Sequence, residues 1–387
     1  MRPATVAVAG SGLAELTCAW LLAARGHPVR LRPRPAGGPR PLLLGDDTLA
    51  LLHALWGTEA ADGPTGDSHR LTHRHARWTP DRDAGPPLPQ PAAVVDGARL
   101  ARRLLARLAD RYPDAVSDEP ARVGPPGRLA RPQSMGMAGV VRPGTRVPPV
   151  QPDTPVSPDA QGPPVRHDTP VPPVPSDVAV PQWTVTATPP AREGAYRTAG
   201  RRHLLAGEAP CAAGQDDTTS RLERTDDAWL HLTPLGDGNA LLQAMVPGPV
   251  EHPARHLARL LVRSPLAARL AQPPATAVAL PAAPRLHRAP AAPPSGRAPG
   301  LLLVGAGAIR YDPLSGTGTA QALRTAVLAA AVIDSAAAGT PADRLCAHYT
   351  ARLRTAFRDH LATCARLYPQ AFASPAWQHE LDACRPG

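Results

Sequence analysis

The chain contains no lysine, so all 42 of its basic residues are arginine. Aromatic side chains are scarce, six Trp, five Tyr and two Phe among 387 residues, whereas proline reaches 51. This excess of alanine, proline and arginine is the mark of a GC-rich coding sequence, which accounts for much of the net charge of +10. The arginines are scattered and interleave little with aromatics, so the basic stripe with stacking rings that nucleic-acid binding needs is missing. The charge is equally compatible with an acidic protein or peptide partner. Cysteine is limited to Cys18, Cys211, Cys346, Cys364 and Cys384, an odd and widely spaced set without a CxxC pair. That spacing excludes a zinc pattern and a secreted disulfide framework. No apolar run reaches about 18 residues free of charge, and the start lacks a basic segment followed by a cleavage site. The expectation is a soluble, cytoplasmic protein without a membrane partner.

What the chain does have is a pair of glycine-rich turns, one near each end. In Gly300–Leu323 an apolar run, Leu301 to Val304, enters a first turn; after Asp312-Pro313, Gly316 and Gly318 open a helical segment. Glycines at a helix start let backbone approach a ligand, and the free N–H groups there favour a phosphate or an anionic ring edge. At the other end, Thr5–Ala9 reads as a strand, Leu13–Arg25 as a helix and Val29–Leu31 as a second strand, with Gly10-Ser11-Gly12 at the first turn. This is a βαβ opening of the dinucleotide-binding kind. Glu15 stands at the position of the third glycine, and Pro33 at that of the acid which usually ends the second strand.

Between these ends, Gly45-Asp46-Asp47-Thr48 precedes a short helix, Leu49–Trp56, with Asp or Thr able to cap it. Ser68–Trp78 carries His69, His73 and His75, but the alternation reads as a strand ending at Trp78, and no metal site is assigned. Asp96–Asp110 is an amphipathic helix with Leu100, Leu104, Leu105 and Leu108 on one face. From Pro120 to about Pro181 proline recurs every few residues, and PDTPV at 152–156 is echoed by HDTPV at 167–171. Such a stretch reads as an extended linker or insertion. Trp183–Thr188 is a strand, and Asp226–Pro234 with Asn239–Val246 forms a hairpin around Leu235-Gly-Asp-Gly238. Arg255–Leu270, Thr319–Ala338 and Asp343–Tyr368 read as helices, and the late histidines, His348 and His360 included, as surface residues.

Taken together these pieces resemble the flavin-dependent monooxygenase and tryptophan-halogenase superfamily with its glutathione-reductase-type FAD fold. They are most similar to flavoproteins that mature quinone-containing amine and amino-acid oxidases. The matching residues are Gly10-Ser11-Gly12, Gly45–Leu49, Trp78, Asp96–Leu105, Ala228–Pro234, Asp312–Gly318 and Tyr368–Trp377. Two departures stand out: Ala306 replaces the family's aspartate after Gly305, and the Asp-Ala-Thr-Gly-Arg turn becomes Arg197–Arg201. The resemblance implies an α/β fold, an FAD/NAD(P)-binding Rossmann-like domain with a β-rich substrate insertion and C-terminal helices. The expected parts are 1–119 and 296–340 for the FAD-binding domain, 120–182 for the proline-rich tract, 183–295 for the substrate side and 341–387 for the last helices. FAD is the implied cofactor, held by Gly10, Ser11, Gly12, Gly305, Asp312, Pro313, Gly316, Thr317 and Gly318. The implied function is FAD-dependent oxidation, a monooxygenase hydroxylating an aromatic or peptide-borne side chain in biosynthesis or cofactor maturation. Implied partners are a small-molecule or peptide substrate and a reductase or peptide/protein. The halogenases use a lysine between flavin and substrate, which this chain lacks. The altered residues also leave open a non-catalytic, flavoprotein-like binding partner with weak or no FAD binding.

Overall fold

A parallel sheet carries the first glycine turn. In the computed structural model, which describes residues 3–34, 41–57, 65–78, 85–116, 181–189, 194–296 and 298–385, β1 (Val6–Ala9) leads through α1 (Leu13–Ala24) to β2 (Val29–Arg32). The chain then gives β3 (Pro41–Gly45), α2 (Asp46–Trp56), β4 (His69–Arg77), β5 (Leu88–Asp96) and α3 (Gly97–Arg111). The proline-rich tract expected over 120–182 lies, but for its last two residues, outside the described residues.

Next come β6 (Trp183–Thr186), β7 (Tyr196–Thr198), β8 (His203–Pro210), β9 (Thr219–Arg224), β10 (Trp229–Pro234), β11 (Asn239–Val246) and α4 (Pro253–Leu261). The remainder holds β12 (Val278–Pro281), β13 (Arg285–His287), β14 (Ala291–Ala292), β15 (Gly300–Leu303), α5 (Gly305–Ala308) and β16 (Ile309–Arg310). Three helices end the described chain: α6 (Gly318–Ala337), α7 (Ala342–Leu367) and α8 (Pro375–Asp382).

The five-stranded sheet has the order β14-β15-β6-β1-β2, with β1, β2, β6 and β15 parallel. Apolar residues on both faces, Val6, Val8, Val185, Leu302 and Leu303 among them, are wholly buried or nearly so, as a parallel sheet covered by helices requires. Trp183, expected to open the substrate side, instead starts a strand between β1 and β15 in register with Val6 and Gly300. Gly300 makes this possible, because a Cβ there would stand 2.5 Å from the Trp183 ring.

The eight-stranded sheet, β12-β8-β11-β10-β9-β4-β5-β3, draws strands both from before residue 117 and from after residue 180, and β16-β13-β7 form a separate three-stranded sheet. The expected hairpin is β10–β11, pairing Trp229 with Met245 and Pro234 with Ala240. Alternation then separates two faces. Leu230, Leu232, Leu242 and Ala244 pack with Leu257 and Leu261 of α4, while Trp229, His231, Thr233, Leu241 and Gln243 line a cavity on the other face.

Three local expectations are corrected. The helix expected over 255–270 breaks into α4 and a short 3-10 turn, Pro265–Arg269. Pro265 disfavours helical backbone at Ser264, which is extended and caps the Leu266 N–H with its own hydroxyl. At α2 the cap position is Gly45, without a side-chain cap, so Asp46 and Asp47 act through the helix dipole instead. His360 is buried rather than on the surface. α6 is long and apolar enough to cross a membrane by composition, but half of it is buried in the protein, packed against α1 and α7.

Candidate functional site

The first turn places β1 and α1 so that backbone, and little else, meets the space above it. Gly10 has φ +132°, a value L side chains rarely adopt. A Cβ on Gly10 would stand 2.4 Å from the Glu15 carboxylate, and one on Gly12 2.7 Å from it. Glu15, at the position of the fingerprint's third glycine, thus fills the room beside Gly10 and Gly12. It is 4% exposed, accepts a hydrogen bond from the Ala187 N–H at 3.0 Å, and burial raises its pKa. Burial, and then the same carboxylate, push the neighbouring Cys18 thiol up to about 12.

Gly10, Ser11 and Gly12 open onto a cavity of about 680 Å3 that Gly318, Thr319 and Gln321 of α6 also line. Both helix starts facing it, α1 and α6, lack a side-chain cap, so their first N–H groups remain available to a ligand. Arg34 and Arg310 also line it. The Arg310 guanidinium has its pKa lowered to about 10, first by burial and then by Arg285. Ala306 forms part of the wall, where it offers a methyl group and no acceptor. A long ligand with a central diphosphate and one anionic ring edge fits these features. Two guanidinium groups outweigh the single buried carboxyl, and the uncapped starts of both α1 and α6 line the same cavity. Apart from the buried Glu15 carboxyl, this lining holds no carboxylate that could accept from ligand hydroxyls among the described residues.

The second glycine run is held from below. Asp312 is 1% exposed and reaches none of the cavities described here. Its carboxylate accepts from Arg202 Nε at 2.6 Å, the Tyr368 hydroxyl at 2.8 Å and the Leu314 N–H at 2.9 Å. Its own N–H donates to His360 Nε2 at 2.8 Å, which fixes that nitrogen as the unprotonated one. Burial lowers the His360 pKa to about 4, and its ring stacks on Tyr311 with centroids 4.2 Å apart. Arg202 also donates to Glu380 at 2.9 Å and to the Ala199 carbonyl at 3.2 Å. Trp229 Nε1 donates to the Tyr368 hydroxyl at 3.3 Å, tying β10 to the same post.

The expected residues therefore separate into four groups. Gly10, Ser11, Gly12 and Gly318 face the large cavity; Pro313, Gly316 and again Gly318 face a smaller one of about 290 Å3 against the eight-stranded sheet. Thr317 lies on a third cavity of about 860 Å3 between α6 and α7. Gly305 is buried, its N–H donating to Thr325 Oγ1 at 2.8 Å, and Asp312 acts as the anchor of the loop. Gly318, with Leu42 and Thr319, lines both the 680 Å3 and the 290 Å3 cavities and marks their junction. Sequence reasoning missed Arg34, Arg310, Gln321 and Arg202. The last of these had a signal nearby, since it directly follows the Arg197–Arg201 turn that the family resemblance brought to notice.

No protein-family model matches the sequence, and no curated protein matches it. Solved structures do. A peptidyl tryptophan dihydroxylase, QhpG, essential for tryptophylquinone cofactor biogenesis, aligns with a TM-score of 0.69 at 18% identity, over 98% of this chain and 78% of its own. CmlS, a flavin-dependent halogenase, gives 0.65 at 16% identity, over 100% and 68%. PqsL, a probable FAD-dependent monooxygenase from Pseudomonas aeruginosa, gives 0.61 at 15% identity, over 99% of each chain. The chain thus has the α/β, Rossmann-like fold seen in these flavin-dependent monooxygenase and halogenase structures.

Proposed function

We propose that the chain is an FAD-dependent oxidoreductase, a monooxygenase that hydroxylates an aromatic or peptide-borne side chain in biosynthesis or cofactor maturation. One observation carries the reading: a single cavity runs from the uncapped start of α1 at Gly10–Gly12 to the uncapped start of α6 at Gly318–Gln321. The fold shared with QhpG and PqsL supports it. FAD, when bound, supplies the oxidising chemistry, transferring oxygen from O2 to the substrate.

The chain's own groups bind, orient and exclude water. Backbone N–H groups at Gly12 and Leu13, aided by Arg34 and Arg310, hold the diphosphate. The start of α6 at Gly318 and Thr319 stabilises negative charge on the ring edge through the helix dipole. The anchor of Arg202, Asp312 and Tyr368 fixes the loop that carries these N–H groups, so the electrostatics are set before substrate enters. Five unpaired thiols are in keeping with a cytoplasmic setting.

The test is the visible spectrum of the purified protein together with titration by FAD. Flavin absorption, or uptake of added FAD with quenching of its fluorescence, is the expected result. A colourless protein that leaves added FAD free would overturn the reading in favour of a non-catalytic, flavoprotein-like binding partner.

A further inference from the structure

The small cavity against the eight-stranded sheet is walled by apolar groups, among them Leu43, Val94, Leu222, Trp229, Leu241 and Leu314. Into it also face Arg74 of β4, His231 of β10 and Gln243 of β11. Register explains their meeting: His231 pairs with Gln243 on one side and Leu222 on the other, and Leu222 pairs with Ala76, two residues from Arg74. All point to one face.

The charge balance of this cavity is one-sided. Arg74 has no ion-pair partner among the described residues, and its Nε is buried without a hydrogen-bond acceptor. The lining includes no Asp or Glu. His231 is neutral near pH 7, its pKa lowered to about 4 by burial and then by Arg74, and Gln243 stands opposite it across the β10–β11 pair. Gly318 and Thr319 add the positive start of α6 at the opposite rim. A half-buried guanidinium without a partner is satisfied best by a ligand carboxylate, which it can bind with two parallel hydrogen bonds.

We propose that the substrate is a small aromatic carboxylic acid whose ring lies on Trp229 and the leucines and whose carboxylate is held by Arg74 beside the His231–Gln243 pair. This rests on the reading of the Gly318 junction as the reacting end of a flavin site. The volume, about 290 Å3, is at the lower end for ligand pockets and suits one ring or two fused rings. Arg74 is a specificity-determining residue here, since a neutral ligand would leave its charge desolvated and unpaired.

The experiment is calorimetric titration of the full chain, with and without added FAD, by benzoate and indole-3-acetate and by their amides. Acids are expected to bind about ten- to a hundredfold more tightly than the matching amides. Arg74→Gln is expected to erase that preference, and Arg74→Lys, which keeps the charge but loses the fork, to weaken acid binding several-fold. Circular dichroism melts check that each variant folds; should Arg74→Gln not fold, unchanged acid binding by Arg74→Lys overturns the proposal. Amides binding as tightly as acids, an acid preference that survives Arg74→Gln, or no acid binding by the folded protein also overturns it. FAD uptake is read separately by flavin fluorescence. Failed uptake with an intact acid preference removes the flavin reading alone, and normal uptake without that preference removes this inference alone.

Discussion

Arg202 and Asp312, 110 positions apart in the chain, meet at 2.6 Å with 1% of either side chain exposed. Glu380 completes the set at 2.9 Å, so one guanidinium answers two buried carboxylates and, through them, fixes the loop before α6. Arg202→Met leaves both carboxylates buried without a counter-charge, and breaking such a pair costs about 3–5 kcal/mol. The expected outcome is a large fall in Tm followed by circular dichroism. An unchanged Tm would mean that solvent reaches the pair.

Glu15 sits beneath the turn where a diphosphate would lie. Burial raises its pKa, so the carboxyl keeps its proton to a higher pH than usual and ionises as pH rises further. FAD affinity is therefore expected to weaken with rising pH. Glu15→Gln removes the charge and should flatten that profile, with a gain on the order of tenfold at the alkaline end, about 1.4 kcal/mol. Fluorescence titration over pH is the measurement; parallel profiles for the two proteins would refute it.

Ala306 lines the same cavity on its exposed side. Ala306→Asp adds an acceptor for ligand hydroxyls, a charge-assisted hydrogen bond worth roughly 1.5–3 kcal/mol. Tighter FAD retention through gel filtration is expected, and unaltered retention would take this wall out of the site.

At Gly318 an added Cβ meets nothing within 4 Å, so a side chain there enters open cavity rather than packed protein. Gly318→Leu should abolish FAD uptake with little change in Tm. A variant that binds FAD as well as the parent would separate the two cavities from the cofactor.

His231 and His360 both have pKa values lowered to about 4 from an ordinary 6.5. The unfolded chain then binds more protons than the folded one between these values, so stability is full above about pH 6.5 and falls as pH drops toward 4. The maximal slope is about 1.4 kcal/mol per pH unit for each imidazole. His360→Gln should flatten the dependence of Tm on pH; an equally steep profile would assign it to other groups.

Much of this was legible in the chain itself, for reasons that differ by residue. The Gly10–Gly12 turn, the β10–β11 hairpin and α3 announce themselves through local chemistry: a positive-φ glycine, a glycine-bearing turn, and a capping Asp96 before a leucine stripe. Asp312 was legible as special but not in its role, because a motif shows that a carboxylate is required and not which way it points. His360 was misread since its basic helix looks solvated, and only the fold brings the Asp312 N–H to it from 48 positions away. Trp183 read correctly as strand, while its sheet depended on partners at Val6 and Gly300 that no local pattern reveals.

The place of β6 also bears on how the chain is born. Thr186 bonds the Ala9 carbonyl 177 positions upstream, and β15 then closes on the other side of β6. During synthesis β1 must therefore wait with an unsatisfied edge until β6 has left the ribosome, and β6 must wait in turn for residue 300. Pairings of such long range are slow to form and leave strand edges open to other chains. Expression at lower temperature or with chaperones is therefore expected to raise the yield of folded protein.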